Sequence, residues 1–583
     1  MREYRLAWGA DFETTVEIQY LAEGRVHVWA WAVQCVQDPD TRARGETIES
    51  FFEFFKNKKA DIYFHNLKFD GMFILDYLLR NGYPAMEFTF KDKPKEPHVE
   101  TMIDGHGAVY RIDLYDGKTH LAFYDSMKKY RMPLESVASI FRIPGKTPLK
   151  LGYRFIGREV TDEEWERVEN DVRILCEAMR FQKEQGLNRI TVASDAKDAY
   201  VEMTGKEVIA RRHPRLSYEL DEALRPAYKG GYVYLNEPYR GKVIHDVWVF
   251  DENSKYPAIM KGVHGELLPR GMPRWVDQDY VLEENEVDIW DVTLDLHLKK
   301  NKLPWIHYNN HPGHLNVEYI IEEEDPMRMM FATPDWELLH ECYECDVIGF
   351  NGRWVFWAEK GQFDSYVNYW MGVKERASLE GNGGRRQQAK DMMNNLSGRF
   401  ALNPNRESKV PYFDKEADMV KFQTVKKIVA PWYVPTSIFI TSYGRNRIVH
   451  DAMRFGDDFV YADTDSLHIL NYEKHKHWFE KECHPTHLGY YGLEDKWEDA
   501  KYIRAKAYMH QHSIPPEATP EQIRKLREIK CGGLPDKAKE HVNFDNFHVG
   551  SELEGKLAGR VVPGGYLLRD TTFKIQGGER WTF

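Results

Sequence analysis

Several things are scarce in this chain, and each scarcity excludes something. No stretch of its 583 residues approaches the roughly 20 uninterrupted apolar residues of a membrane span, so no membrane association is expected. Arg2, Glu3 and Arg5 crowd the first residues and an acidic cluster follows by Asp11, which does not read as a signal peptide. Cysteine is sparse: six residues, at 35, 176, 342, 345, 483 and 531, scattered as suits a reducing cytoplasm. One CxxC occurs, Cys342-Tyr343-Glu344-Cys345, with no second to complete it, and Cys483 and His487 are distant. No zinc is therefore expected, and the pair reads as two cysteines one helical turn apart. Positive charge is also short, with 80 Lys and Arg against 92 Asp and Glu, a net charge of −12 and a pI near 6.1. That excludes a simple DNA-coating protein, whose affinity comes from phosphate neutralisation. Internal repeats and low-complexity tracts are absent.

What remains is a large α/β chain. Its length accommodates about four modules, and 42% hydrophobic residues suffice for several cores. Tyr4–Ala10, Arg25–Gln34 and Ile62–Phe64 read as strands, Asp162–Gln185 as a long helix, and the pattern breaks between Gly186 and Asp195. A strand at Val243–Phe250 runs into a polar turn. Residues 265–360 read as an inserted α+β module, 362–400 as helix with a break at Gly381–Gly384, and 402–432 as a β-hairpin. A helix is expected over 436–450, two short strands over 457–470, and strand and turn material in the last fifty residues. Local basic runs occur at Arg385–Lys390, Lys501–Lys506 and Arg524–Lys530, and are expected to line a basic tunnel.

Two sets of carboxylates carry chemistry. In the first, Asp11 and Glu13 end an apolar strand and, two apart, share one side of it; Asp70 follows in Asn66-Leu67-Lys68-Phe69-Asp70-Gly71, and Asp171 lies on the predicted long helix. Singly each reads as a cap or a solvated turn. Together, four hard oxygen donors from three segments suit two Mg²⁺ or Mn²⁺ ions, which activate water against a phosphodiester. In the second set, Asp251 sits at a strand end within Phe250-Asp251-Glu252-Asn253-Ser254-Lys255-Tyr256-Pro257. Lys390, Asn394 and Ser397 share a helix face at i, i+4 and i+7, and Asp463 and Asp465 flank Thr464 in a tight turn after Tyr461-Ala462. Attack of a 3′-hydroxyl on an α-phosphate needs two such metals and a cation for the triphosphate.

In this order the segments resemble family B DNA polymerases, and within them the protein-primed enzymes of bacteriophages with linear, terminal-protein-capped genomes. The resemblance covers nearly the whole chain. It implies a ribonuclease-H-like 3′→5′ exonuclease domain and a right-hand polymerase of α/β and α+β modules: exonuclease 1–191, palm 192–262 and 434–530, a terminal-protein-contacting insertion 263–361, fingers 362–401, a strand-displacement insertion 402–433, and thumb 531–583. By the same resemblance Asp251 and Asp465 are the main polymerase metal ligands with Asp463 supporting, and Asp11, Glu13, Asp70 and Asp171 are the exonuclease ligands, with two Mg²⁺ or Mn²⁺ per site. Tyr256 stacks under the incoming sugar and excludes a 2′-hydroxyl, while Ser254, Lys374, Arg386, Lys390 and Asn394 face the nucleotide. DNA contacts fall to Asn66, Phe69, Ser126, Met127, Tyr228, Gly230, Gly231, Thr441, Arg445, Lys506 and Tyr508, and Lys150 stands where the phage enzymes have an assisting lysine. The implied partners are primer-template DNA, deoxynucleoside triphosphates and a terminal protein, with the chain a monomer or a heterodimer with the latter, in the host cytoplasm.

Departures are few and located. Arg167 stands where the family has a water-orienting Tyr four residues before Asp171, and reads as an ion-pair partner of that aspartate. Met127 and Lys255 each replace Leu, and Asn395 and Ser397 replace Ser and Tyr. Slower editing and weaker base or sugar discrimination are expected. A stand-alone nuclease with a decayed synthesis half, or a non-catalytic initiation factor, are the alternatives; the intact Asp251, Lys390, Asp463 and Asp465 weigh against both.

Overall fold

A computed structural model describes residues 5–89, 94–145, 158–308 and 319–577; Lys150 lies outside them. The chain is a mixed α/β and α+β multidomain protein. The N-terminal region is built on an eight-stranded mixed sheet in the spatial order Arg42–Gly45, Val28–Cys35, Leu6–Thr14, Lys59–Phe64, Thr119–Asp125, Val109–Asp116, His98–Ile103, Ala85–Glu87. Strand Leu6–Thr14 runs parallel to Lys59–Phe64 and antiparallel to Val28–Cys35. Every residue of Val28–Cys35 is buried. Helices Asp162–Glu184 and Ile48–Phe55 both pack against it, which is why this strand reads as a continuous apolar run without alternation. Helix Asp162–Glu184 starts where the sequence places it, because Thr161 and Glu164 form a reciprocal capping box.

The central sheet has seven antiparallel strands, in the order Arg527–Cys531, Ala507–Gln511, Tyr491–Arg504, Val243–Glu252, Ser466–Ile469, Phe459–Asp463, Val233–Leu235. Helix Val434–Arg454 lies beneath it, with 15 buried residues that make it a core helix. Helices Asp364–Leu379 and Gly383–Phe400 form an antiparallel pair, joined through Gly381 in the left-handed region (φ 63), and the second packs on Val192–Thr204. Residues 268–359 add a five-stranded sheet and helix Thr333–Cys342. That helix stops at Cys342, so the two cysteines do not share a helical turn as expected. Tyr343 turns extended (φ −120, ψ 146), pairs with Leu298 and buries its ring. Filling that core outweighs one more helical residue.

Two hairpins return to the N-terminal region. Asn405–Asp414 with Met419–Ile428, and Glu552–Val562 with Gly565–Lys574, place Val420, Val562 and Leu567 in the same core as Phe73 and Leu75 of helix Leu67–Arg80. The expected division at 530/531 runs through one core, since Ile503, Met509 and Ile529 pack with Leu534, Phe547 and Leu553.

Candidate active sites and nucleic-acid passage

The central sheet assembles the first site by register. Asp251 pairs with Ser466, and Ser466 closes the turn opposite Asp463, so the carboxylates arrive on three adjacent backbone segments. The turn is held from several sides. Thr464 is left-handed (φ 61) and donates its N–H to Tyr232 O at 2.7 Å; Glu252 N–H donates to Asp465 O at 2.8 Å; Lys255 Nζ donates to Thr464 O at 2.8 Å. Burial, then the like charges of Asp465 and Glu494, push the Asp251 carboxyl up to about 8, and burial also raises Asp465. Two carboxylates held together at such cost fit a divalent cation site. Asp463 differs: Lys506 Nζ reaches its two oxygens at 2.7 and 2.9 Å and Tyr461 donates at 3.2 Å. That neutralisation suits a supporting carboxylate.

Opposite the carboxylates stand cations. Burial first, then Arg386 and Lys390, lower the Lys374 ammonium, so three positive groups gather without enough anions to balance them. Such a cluster suits a polyphosphate. Ser254 is left-handed (φ 51) and turns the chain into helix Lys255–Lys261, which carries Tyr256. A Cβ on Gly231 would lie 2.7 Å from Thr464 Oγ1 and 3.1 Å from the Tyr256 hydroxyl, so only glycine lets that loop meet both. Gly230 has open space there. Tyr228, Tyr256, Asn394, Asn395, Ser397 and Thr441 line one cavity with Gly230 and Gly231.

Arg445 was expected to contact DNA, but it is buried. Its guanidinium pairs with buried Asp335 at 2.5 Å and donates to Lys229 O and Gly230 O at 2.7 Å. It ties the inserted module to the glycine loop, because an arginine removed from water must satisfy its fork internally. The sequence reading also missed Glu252 and Arg447. Glu252 is fully buried, 3.3 Å from Lys255 and 3.4 Å from Arg447. The legible signal was Lys255 itself, a charge at an apolar position.

The N-terminal sheet forms a second site. Asp11 and Glu13 lie on Leu6–Thr14, and helix Asp162–Glu184, bearing buried Asp171, packs closely on that strand; a Cβ on Gly9 would strike Cys176 Sγ at 2.5 Å. Asp70 is buried on helix Leu67–Arg80, and burial, then Glu13 and Asp125, raise it well above the usual carboxylate range. Asp125 is thus a further acid at this site, missed because it immediately precedes the Ser126–Tyr130 segment. Its Oδ1 accepts from Asn66 N–H at 3.1 Å and Met127 N–H at 3.0 Å. Ser126 is buried, within 2.9 Å of His65 Nδ1. Phe69 packs edge-on against Tyr566 of the C-terminal hairpin. Arg167 Nε lies 3.3 Å from Glu13 Oε1, so the cation reaches across to the first strand.

A cavity of about 2060 Å³ runs between the N-terminal region, the helix pair and the first hairpin. Its wall is basic, carrying eleven Lys and Arg against five Asp and Glu. The cations are not the expected runs. Lys59, Lys183, Arg189, Arg399 and Arg406 converge from separate elements, joined by Lys128, Lys129 and Arg131 of one short basic stretch. Of the runs, Lys506 serves the first site, Arg386 the cation cluster, and Lys530 pairs with Glu528.

Comparison with known proteins gives a consistent picture. A family model described as DNA polymerase type B, organellar and viral, matches residues 52–482. The chain is 32% identical to the DNA polymerase of Bacillus phage phi29, covering 98% of this chain and 99% of that one. It is 31% identical to the DNA polymerase of Bacillus phage Nf, covering 98% and 100%. Among solved structures, phi29 DNA polymerase complexed with primer-template DNA and incoming nucleotide substrates superposes with a TM-score of 0.87 at 31% identity, over 98% of this chain and 100% of that one.

Proposed function

This chain belongs to the type B DNA polymerases of organelles and viruses, and from that premise we propose how its two carboxylate sites divide the work. It is a DNA-directed DNA polymerase. Synthesis falls to Asp251 and Asp465, which would hold Mg²⁺ or Mn²⁺. The observation that carries this is the pair of costly carboxylates on adjacent segments facing Lys374, Arg386 and Lys390. The cations bind and orient the triphosphate, and Tyr256, seated against Gly231, forms the floor under the sugar and resists a 2′-hydroxyl. Lys506 steadies Asp463. The bound ions supply charge neutralisation at the α-phosphate and acidify the attacking 3′-hydroxyl.

The second site is the 3′→5′ exonuclease, with Asp11, Glu13, Asp70 and Asp171 as its metal-holding set and Asp125 supporting Asn66 and Met127. Arg167 offers Glu13 a competing cation, which slows editing. Primer-template DNA threads the basic cavity. The terminal protein docks on the inserted module, which exposes Met272, Trp275, Ile348 and Trp357, apolar surface of the kind a protein partner covers. Primer extension and primer degradation assayed side by side test the division. Asp465→Ala is expected to abolish extension alone and Asp11→Ala degradation alone; extension surviving Asp465→Ala sinks the assignment. Transfer of a first nucleotide onto a co-encoded terminal protein tests priming.

A further inference from the structure

The far edge of the central sheet carries a constellation that nucleotide transfer does not use. One donor atom each of Asp495, His510 and His512 lies within 4.8 Å of the others. His512 Nε2 is 3.4 Å from Asp495 Oδ2. Metal–ligand bonds of about 2.0–2.1 Å set the donors of a tetrahedral site roughly 3.3–3.4 Å apart, so this separation matches one edge of such a site. His510 is 2% exposed. Its Nε2 lies 3.4 Å from Glu528 Oε2, while its Nδ1 is buried and has no hydrogen-bond partner among the described residues. An imidazole with one nitrogen toward a carboxylate and the other bare is the usual arrangement of a metal-ligating histidine.

The surroundings fix these donors. Trp497 Nε1 donates to Asp495 Oδ2 at 2.7 Å and Lys496 N–H to Oδ1 at 2.8 Å. The Trp497 ring stacks on His510 at 3.7 Å and 9°. Asp495 and His512 are about one-third exposed, which gives an ion a route in and leaves a position for water. We propose that Asp495, His510 and His512 bind one transition-metal cation of the Zn²⁺ class, at a site separate from both catalytic centres. Two imidazoles and one carboxylate select such an ion over Mg²⁺, which prefers all-oxygen shells. The ion clamps strand Ala507–Gln511 to Tyr491–Arg504. Tyr508, two residues before His510 and among the expected DNA contacts, packs on the same Trp497, so the clamp stiffens the strand that carries it.

The test uses the metal-stripped full chain in excess Mg²⁺, titrated with Co²⁺ and followed by visible absorption and equilibrium dialysis. One Co²⁺ per chain is expected, displaceable by Zn²⁺ and free of an intense sulfur-to-metal band. Binding should weaken at least about tenfold in His512→Ala and in Asp495→Asn. Both positions are part-exposed, and far-UV circular dichroism with Mg²⁺ alone checks that the variants fold. Affinity unchanged in both variants, or no binding that resists Mg²⁺, overturns the site. A thiolate band overturns it too, by placing the ion at Cys342 and Cys345.

Discussion

At the scale of single residues, the chain's departures from its family explain more than its agreements. Lys255, which the resemblance marks as a departure from Leu, is buried beside buried Glu252 while holding Thr464 O. The lysine therefore does two things: it compensates a buried carboxylate and it positions the Asp463–Asp465 turn. Those roles separate in a double-mutant cycle. Lys255→Leu leaves Glu252 with Arg447 alone and is expected to cost about 3–5 kcal/mol in denaturant unfolding. Lys255→Leu with Glu252→Leu is expected to recover most of that stability but not the activity at low Mg²⁺, because the turn has lost its tether. Full activity in the stable double variant would reduce Lys255 to a packing residue. The lysine also holds Asp465 down against burial, so both variants should need more Mg²⁺. Arg167→Tyr makes the converse point at the proposed exonuclease site: removing the cation from Glu13 is expected to speed primer degradation severalfold without changing extension. A substitution that leaves degradation unchanged counts against that competition. The positions of both departures were legible in the sequence. Their partners were not, because Glu13 and Arg167 meet between a strand and a helix far apart in sequence and Thr464 meets Lys255 across 209 residues.

At the scale of elements, the two hairpins close onto the N-terminal region, the arrangement by which we propose DNA is enclosed. Alternation and turn residues made the hairpin over 402–432 legible, but nothing local indicated where it docks. It docks on the N-terminal sheet edge and on helix Leu67–Arg80, through Ser408 Oγ to Glu87 at 2.7 Å, through Lys427 to the same carboxylate, and through Arg80 to Asp418. The C-terminal hairpin seats its turn against the same helix: Gly564 N–H donates to Asp76 at 3.2 Å, and Val26 N–H donates to Pro563 O at 3.0 Å. Gly564 is left-handed (φ 92), and a Cβ there would lie 2.0 Å from Val26 O. No side chain fits without undocking the turn. Gly564→Val is expected to leave single-nucleotide addition intact and to shorten products severalfold in extension with a DNA trap. Equal product lengths would mean that the closed arrangement does not govern processivity. The CxxC shows the opposite limit, since helix spacing looked sufficient there until Tyr343 found a core to fill.

At the scale of the molecule, charge is sorted by fold rather than by sequence. The chain carries −12 overall, yet the wall of its large cavity is basic, built of cations gathered from many separate segments. Buried titratable groups are sorted the same way, and they set how stability follows pH. His213 sits among Tyr200, Phe363 and Phe400 with its Nε2 2.9 Å from the Tyr200 hydroxyl; His468 follows the Asp463–Asp465 turn with its Nδ1 2.6 Å from the Tyr502 hydroxyl. Burial pushes both imidazoles down to about 3, from about 6.5 in an unfolded chain. Below about pH 6.5 the unfolded chain therefore binds protons that the native chain refuses. The stabilisation is fully present above pH 6.5 and is lost as pH falls toward 3, at up to about 1.4 kcal/mol per pH unit for each histidine. Net charge works the other way, because approaching the pI near 6.1 relieves self-repulsion. The melting temperature should nevertheless fall between pH 6.5 and pH 5. Buried His510, pushed down to about 4, adds a third such protonation, so His213→Gln should flatten that slope by up to about a third while lowering the plateau above pH 7. A slope unchanged in His213→Gln would assign the acid sensitivity to the carboxylates instead.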